Sequence, residues 1–407
     1  MPLQGMDKVM ASSGWAKSFV HVECAFDRPI LNLGDILRNN LCSLLSNPSH
    51  ILRMQLVRPD EPSTYTISTE PASVLVDRIL QSDTMSPALL PDNALFSTVL
   101  SEWFATLMPA QDCARIIYCS LKGRFVCCFS HCFLDGGRAW VDVVRPMMDI
   151  DGHPADSVKL PSLTIPLTYT PVVSELKVAF SLARVFSKLQ PKRSLRVTED
   201  SWTGFAVMNT LLEKTKRLRI RSGTSFLASL TAIAAHAVFL SMPQDAIPLH
   251  LWFGLLVSFS PTTNRTCFNN HGIIPVRVPL PHAYSCDALI ETSRDVERQV
   301  SASRAMAFAT WLATNIHSCG TALTNYANLD VLLTAAPLST SGSAFNLGGT
   351  TARLIGIRNS MWCTLPLYMG VLSTGCTQSH VSLNGNAADI QCTELIHKLK
   401  YVCDFDI

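Results

Sequence analysis

Arg124-Phe-Val-Cys-Cys-Phe-Ser-His131-Cys-Phe-Leu-Asp135-Gly136-Gly137-Arg-Ala-Trp140 is the stretch in which residue types and spacing could do chemistry. An imidazole titrates near neutrality and can take a proton from an alcohol or amine, while a carboxylate four residues on can brace the turn that aims it. His131-x-x-x-Asp135-Gly136 therefore reads as a base with its brace. The competing reading makes His131 a satisfied core histidine and Asp135 a turn residue, and short motifs of this kind have real false positives.

The flanking residues say what must position that pair. Ile116 to Leu121 is an apolar run, Lys122-Gly123 supplies a two-residue turn, and Arg124 to Ser130 returns as a second strand. Phe125, Cys127 and Phe129 alternate with Val126 and Cys128, so both faces of the second strand are apolar and the strand is expected to be central and buried. Past Gly136-Gly137, Trp140, Val143, Val144 and Met147 recur at helical spacing until Pro146 weakens the helix. The expected order is strand, histidine, tight turn, helix.

His131-Cys-Phe-Leu-Asp135-Gly136, about a third of the way along the chain, resembles the motif of the chloramphenicol-acetyltransferase-like acyltransferase superfamily. That group includes plant-type and fungal alcohol acyltransferases, polyketide-associated acyltransferases and nonribosomal condensation domains. The second half is similar to it as well. Gly223 to His236 resembles the first buried helix of the superfamily's second lobe, Leu251 to Ser260 the strand after it, and Asn269-Asn270-His271-Gly272 with Ile274 to Val278 the glycine turn and following strand. Two features depart from particular branches: Ser130 stands where condensation domains carry a second histidine, and there is no Asp-Phe-Gly-Trp-Gly segment of the plant-type branch.

The resemblance implies an α/β chain of two similar lobes, each a mixed sheet with flanking helices, and an active-site channel between them. It implies His131 as general base on the acceptor, Asp135 holding the turn through an ion pair to a second-lobe arginine, for which Arg265 is the candidate, and Gly136 keeping the channel open. Ser258, Ser260, Thr262 and Ser373 are candidates for the oxyanion donor, and Asn270 lines the same expected channel. The reaction expected is acyl transfer from an acyl-CoA thioester, or from a phosphopantetheine arm, to a small alcohol or amine. No bound cofactor is implied. An acyl carrier protein as donor, or a non-catalytic protein that keeps the fold, are the alternatives; a monomer of secondary metabolism is the expected setting.

Composition bounds the rest. At 407 residues and 48% hydrophobic the chain can bury a large core. A net charge of +2 argues against nucleic acid as the main partner. The 14 cysteines are scattered without a Cys-x-x-Cys pair or Cys/His ligand spacing, which favours buried reduced thiols over disulfides or zinc and points to the cytoplasm. His131 and Asp135 alone make a weak metal site, so none is expected. Met1 to Lys17 lacks the pattern of a secretory signal, and Ser225 to Leu240, though apolar, is short for a bilayer and carries His236, so no membrane span is expected. There is no Gly-x-Ser-x-Gly and no phosphate-binding glycine loop.

Along the chain, residues 1–165 read as the first lobe, 166–200 as a linker, and 201–407 as the second lobe. Leu31 to Leu45 and Asn93 to Leu107 repeat apolar residues at helical intervals, and Ile51 to Val57 reads as a strand. Prolines 154, 161, 166 and 171 keep the start of the linker extended, and Val173 to Leu189 reads as helical. Lys188 to Arg196 and Lys214 to Arg221 are basic clusters, either solvated surface or contacts for the phosphates of an acyl donor. The polar loop Ser260 to Gly272 separates two apolar strands, Pro248 to Phe259 and Ile273 to Leu280. A hairpin of Leu365 to Thr374 with Ser379 to Asn384 precedes a closing helix that opens at Asn386.

Overall fold

The computed structural model describes residues 19–57, 65–82, 112–130 except 122, 139–148, 192–258, 271–315 except 282, 328–339, 344–347, 350–360, 365–374 and 378–405. The helices read at 93–107 and 173–189 and the proline-rich linker lie outside them. The chain forms two compact units: Met1–Leu167 with Pro261–Asn269 and Leu338–Cys363, and Thr168–Ser260 with Asn270–Pro337 and Thr364–Ile407.

In chain order the first unit begins with β1 (Phe19–Phe26), α1 (Leu33–Leu45), β2 (Met54–Leu56), β3 (Tyr65–Ile67), α2 (Ala72–Ile79), β4 (Leu80–Ser82), β5 (Ala114–Cys119) and β6 (Arg124–Ser130). A wide π-type segment, Ala139–Val144, then runs into a helical turn, Arg145–Met148. The second unit holds β7 (Val197–Met208), α3 (Leu211–Ser222), α4 (Phe226–Ser241), β8 (His250–Ser258), β9 (His271–Pro279), α5 (Cys286–Asn315) and β10 (Val331–Ser339). The chain then supplies β11 (Ala344–Leu347) and β12 (Thr350–Ser360) before β13 (Leu367–Thr374), β14 (Gln378–Ala387) and α6 (Cys392–Asp404).

Each unit is built on one six-stranded mixed sheet, ordered β11-β12-β1-β6-β5-β4 in the first and β7-β14-β13-β10-β8-β9 in the second. The division read from sequence follows chain order, and the sheets do not. β12 pairs antiparallel with β1, Phe19 across from Ser360 and Phe26 across from Ala352, so a late piece of the chain completes the first sheet.

Local sequence explains the elements. In α1 the leucines at 33, 37, 41 and 45 fall on one stripe and are fully buried. α4 is apolar all round and buried accordingly; its Ser225 cap accepts from the Ala228 amide at 3.3 Å, and Glu297 accepts the Ser225 amide at 2.8 Å. Among the described residues no single helix is long and apolar enough to cross a membrane. Phe125 and Phe129 of β6 are fully buried in the first unit, where truncating either to Ala would cost about 3–5 kcal/mol.

Two boundaries differ from the sequence reading. Ile51–Arg53 is a 3₁₀ turn, leaving only Met54–Leu56 as strand, because the Arg53 guanidinium is drawn inward to the carbonyls of Leu45, Ser68 and Glu70. Asn386 does not open the last helix: β14 keeps pairing with β7 as far as Ala387 across from Val197, and the helix starts six residues later.

Candidate active site

The strand that leads to the motif is the best-defined part of the site. β5 and β6 form an antiparallel hairpin with Ala114 across from Phe129 and Cys119 across from Arg124. Gly123 closes the turn at φ +57°, and a Cβ there would come within 2.6 Å of the Arg28 carbonyl oxygen, so glycine is required on both counts. β6 lies between β1 and β5, and all seven of its residues are buried. The alternation of two apolar faces thus does what it predicts. Ser130, the last described residue before the motif, is buried and donates its amide to the Cys113 carbonyl at 2.8 Å.

The other end of β6 carries charge. Arg124 pairs with Glu23 of β1, and both are buried. Burial lowers the pKa of the Arg124 guanidinium. Beyond the motif the chain is again well packed: Ala139, Val143, Val144, Met147 and Met148 are fully buried, and the Asn40 side chain of α1 donates to the Met147 carbonyl at 2.7 Å. Strand and helix on either side of the motif are therefore both fixed in the first unit's core.

His131, Asp135 and Gly136 lie outside the described residues, as do Ser260, Thr262, Arg265 and Asn270. Two of the sequence candidates are placed. Ser258 ends β8 across from His271 of β9, and Ser373 of β13 is buried across from Ser379 of β14. β10 runs between their two strands. Ser373 shares its sheet face with Val371, Met369, Val381 and Leu383, which belong to the second unit's apolar core.

The opposite face of β13 and β14 holds residues that sequence reading passed over. Tyr368, His380, Ser382 and Asn384 all point there and all are buried. His380 stacks on Phe205 of β7 at 6.0 Å, and burial pushes its pKa down to about 4, which keeps the ring neutral. The signal was present as His380, Ser382 and Asn384 at every second position, alternating with Val381 and Leu383.

A second polar site lies in the first unit, where Gln55, Thr66, Ser68, Glu70, Arg78 and Asp112 line a cavity of about 400 Å³. Arg78 bridges the Glu70 and Asp112 carboxylates at 2.6 and 3.2 Å, and Gln55 donates to the same Asp112 oxygen at 3.0 Å. The Arg78 and Ser68 hydrogen bonds hold the Glu70 pKa below its ordinary value. These contacts tie β2, α2 and the segment after β3 together.

The cysteines described are free, and burial raises the pKa values of Cys24, Cys127 and Cys128 well above the ordinary thiol range, leaving them un-ionised in the sheet. Among the described residues no three His, Cys, Asp or Glu side chains meet as a metal site.

No protein-family profile matches the chain, and no curated protein matches it in sequence. Solved structures do match its fold. It is similar to the wax ester synthase/diacylglycerol acyltransferase from Marinobacter aquaeolei VT8 with a TM-score of 0.59 and 16% identity, over 99% of this chain and 98% of that one. It is similar to the trichothecene 15-O-acetyltransferase from Fusarium sporotrichioides with a TM-score of 0.67 and 12% identity, over 98% and 94%. A starter condensation domain of rhizomide synthetase, solved with C8-CoA and Leu-SNAC, matches at 0.62 and 11% over 99% and 92%. The chain therefore has the α/β fold of the chloramphenicol-acetyltransferase-like and condensation proteins, with a mixed sheet and helices in each of its two units.

Proposed function

We propose that the protein is an acyltransferase that moves an acyl group from an acyl-CoA thioester to an alcohol or amine, with His131 as general base. One observation carries the reading: β6, buried along its whole length, delivers the chain directly to His-x-x-x-Asp-Gly in a fold shared with two acyltransferases and a condensation domain. In the reaction His131 takes the proton from the acceptor as its oxygen or nitrogen attacks the thioester carbonyl. The tetrahedral oxyanion then collapses, the carbon–sulfur bond breaks, and the departing thiolate takes the proton back from the imidazolium. Asp135 and Arg265 would brace the motif turn, Gly136 would leave room beside it, and one of the hydroxyls of Ser258, Ser260, Thr262 or Ser373 would donate to the oxyanion.

CoA as donor is supported by the C8-CoA bound to the starter condensation domain. The fold shared with that domain equally favours a second reading, in which a carrier protein presents the thioester on its phosphopantetheine arm.

The test is thiol release from a panel of acyl-CoA thioesters of differing chain length, with and without candidate alcohols and amines. Acceptor-dependent release by the wild type that disappears in His131→Ala is expected. Acceptor-independent release, or equal release by the variant, would overturn the assignment. Release only when an acylated carrier replaces CoA would select the second reading.

A further inference from the structure

The basic cluster of the second unit is a built surface, and the acyl-transfer reading does not use it. α3 holds Leu-Leu-Glu-Lys-Thr-Lys-Arg-Leu-Arg-Ile-Arg-Ser, with five cations and one carboxylate, in a chain whose net charge is only +2. Leu211, Thr215, Leu218 and Ser222 point into the core, and Lys214 is buried with its ammonium on the Phe405 carbonyl. The outward arc carries Glu213, Lys216, Arg217, Ile220 and Arg221, with Arg219 at its edge, all exposed. Arg294 of α5 adds a further exposed cation where its Nε meets the Ser222 carbonyl at 3.2 Å.

One feature separates this from an ordinary solvated face. A helix C-terminus accounts for Arg219 and Arg221 through the macrodipole, and Glu213 pairs with Arg217 one turn apart, yet neither accounts for Ile220. That isoleucine is 82% exposed in the middle of the cationic arc, with Lys216 and Arg217 one turn before it and Arg219 and Arg221 on either side. An apolar side chain ringed by charge is the layout of a protein interface, in which a desolvated anchor sits inside a polar rim. A membrane surface suits it less well, because helices that lie in lipid present a wide apolar face and the leucines of α3 are already spent on the core. Single-stranded nucleic acid suits it less well too, since the arc has no aromatic ring for a base to stack on.

We propose that the outward face of α3 is a docking surface for an acidic protein partner that takes Ile220 into an apolar socket. Charge complementarity with Lys216, Arg219, Arg221 and Arg294 would speed and orient the encounter, and Ile220 would supply the buried contact. The surface is independent of the reaction assigned above, so either assignment can fail alone.

The test uses the full chain and a fluorescent amphipathic peptide helix with a leucine stripe flanked by glutamates. Saturable binding that weakens as salt is raised is expected. Arg219→Glu with Arg221→Glu should weaken it at least about tenfold, and Ile220→Ser by about five- to tenfold with unchanged melting. Heparin and phosphatidylserine vesicles serve as comparison probes. An Ile220→Ser variant that binds the peptide as tightly as the wild type would overturn the proposal. So would absence of peptide binding, heparin binding as tight as peptide binding, or binding to the vesicles in place of the peptide.

Discussion

Asp330 and Trp252 hold each other twice: the Trp252 amide donates to the Asp330 carboxylate at 2.9 Å, and the Asp330 amide donates to the Trp252 carbonyl at 2.9 Å. The same carboxylate receives the amides of Ser194 and Leu195 at 2.7 and 2.8 Å, and the Leu367 amide donates to the Asp330 carbonyl at 3.1 Å. One fully buried side chain thus ties the segment leading into β7 to β8 and to the start of β10, and its backbone carbonyl adds the start of β13. Burial raises its pKa, and the three amides work against that rise.

Asp330→Ala should leave the amides of Trp252, Leu195 and the half-buried Ser194 without this acceptor. At about 1 kcal/mol or more for each orphaned donor, the expected loss is at least about 3 kcal/mol in urea unfolding. Asp330→Asn keeps an oxygen for Ser194 and Leu195 but turns an amide against Trp252, so a smaller loss is expected. Equal stability of all three proteins would show that the carboxylate is dispensable.

The Arg124–Glu23 pair makes a different prediction. Removing Glu23 alone takes a carboxylate away from a buried guanidinium, and Glu23→Ala should lower stability by about 1–3 kcal/mol in urea unfolding. Replacing both partners by apolar residues, Glu23→Leu with Arg124→Met, should recover much of that loss, because the desolvation penalty goes with the charges. A double variant no better than the single one would show that Arg124 is held for another reason.

His236 gives a pH prediction. It is buried in α4 against Thr292 at 3.1 Å, and burial lowers its pKa from 6.5 to about 4. As pH falls below 6.5 the unfolded chain takes up this proton before the folded one does, so stability is fully present above about 6.5 and declines toward pH 4. The slope from this one group approaches about 1.4 kcal/mol per pH unit. His236→Asn should be less steep over that window, and equal slopes in the two proteins would refute the assignment.

For the motif, His131→Ala should keep the melting temperature and lower turnover by about 10²- to 10⁴-fold. Asp135→Ala should lower stability and turnover together if the carboxylate braces the turn. Wild-type melting with a purely catalytic defect would move Asp135 into the chemistry.

Much of the fold was legible because its signals are local. The 116–130 hairpin announces itself through one glycine between two apolar runs, α4 through an almost wholly apolar stretch, and the β13–β14 hairpin through the apolar run at 367–372 and the alternation of Val381 and Leu383 with polar residues. What stayed hidden depends on distant partners. Nothing in Thr350–Ser360 itself names β1 as its partner, because strand pairing is made by backbone groups that every strand carries. Asn386 looks like a helix cap to its neighbours in sequence; the pairing of β14 with β7 overrides that preference. Of the site, the delivery strand could be read directly, whereas the buried polar row of β14 needed the sheet to show that its alternate positions share a face.

The pairing of β1 with β12 also sets a timetable. During synthesis β1 is made first, and β6, its neighbour on one side, follows about a hundred residues later. Its other edge stays open until the strand bearing Ser360 has been translated, by which time most of the second unit's strands have been made. Through that interval the nascent chain carries an unpaired strand edge next to buried-type side chains, the kind of surface that captures other chains. Production of this protein should therefore depend on chaperone supply and slow translation more than its final stability would suggest.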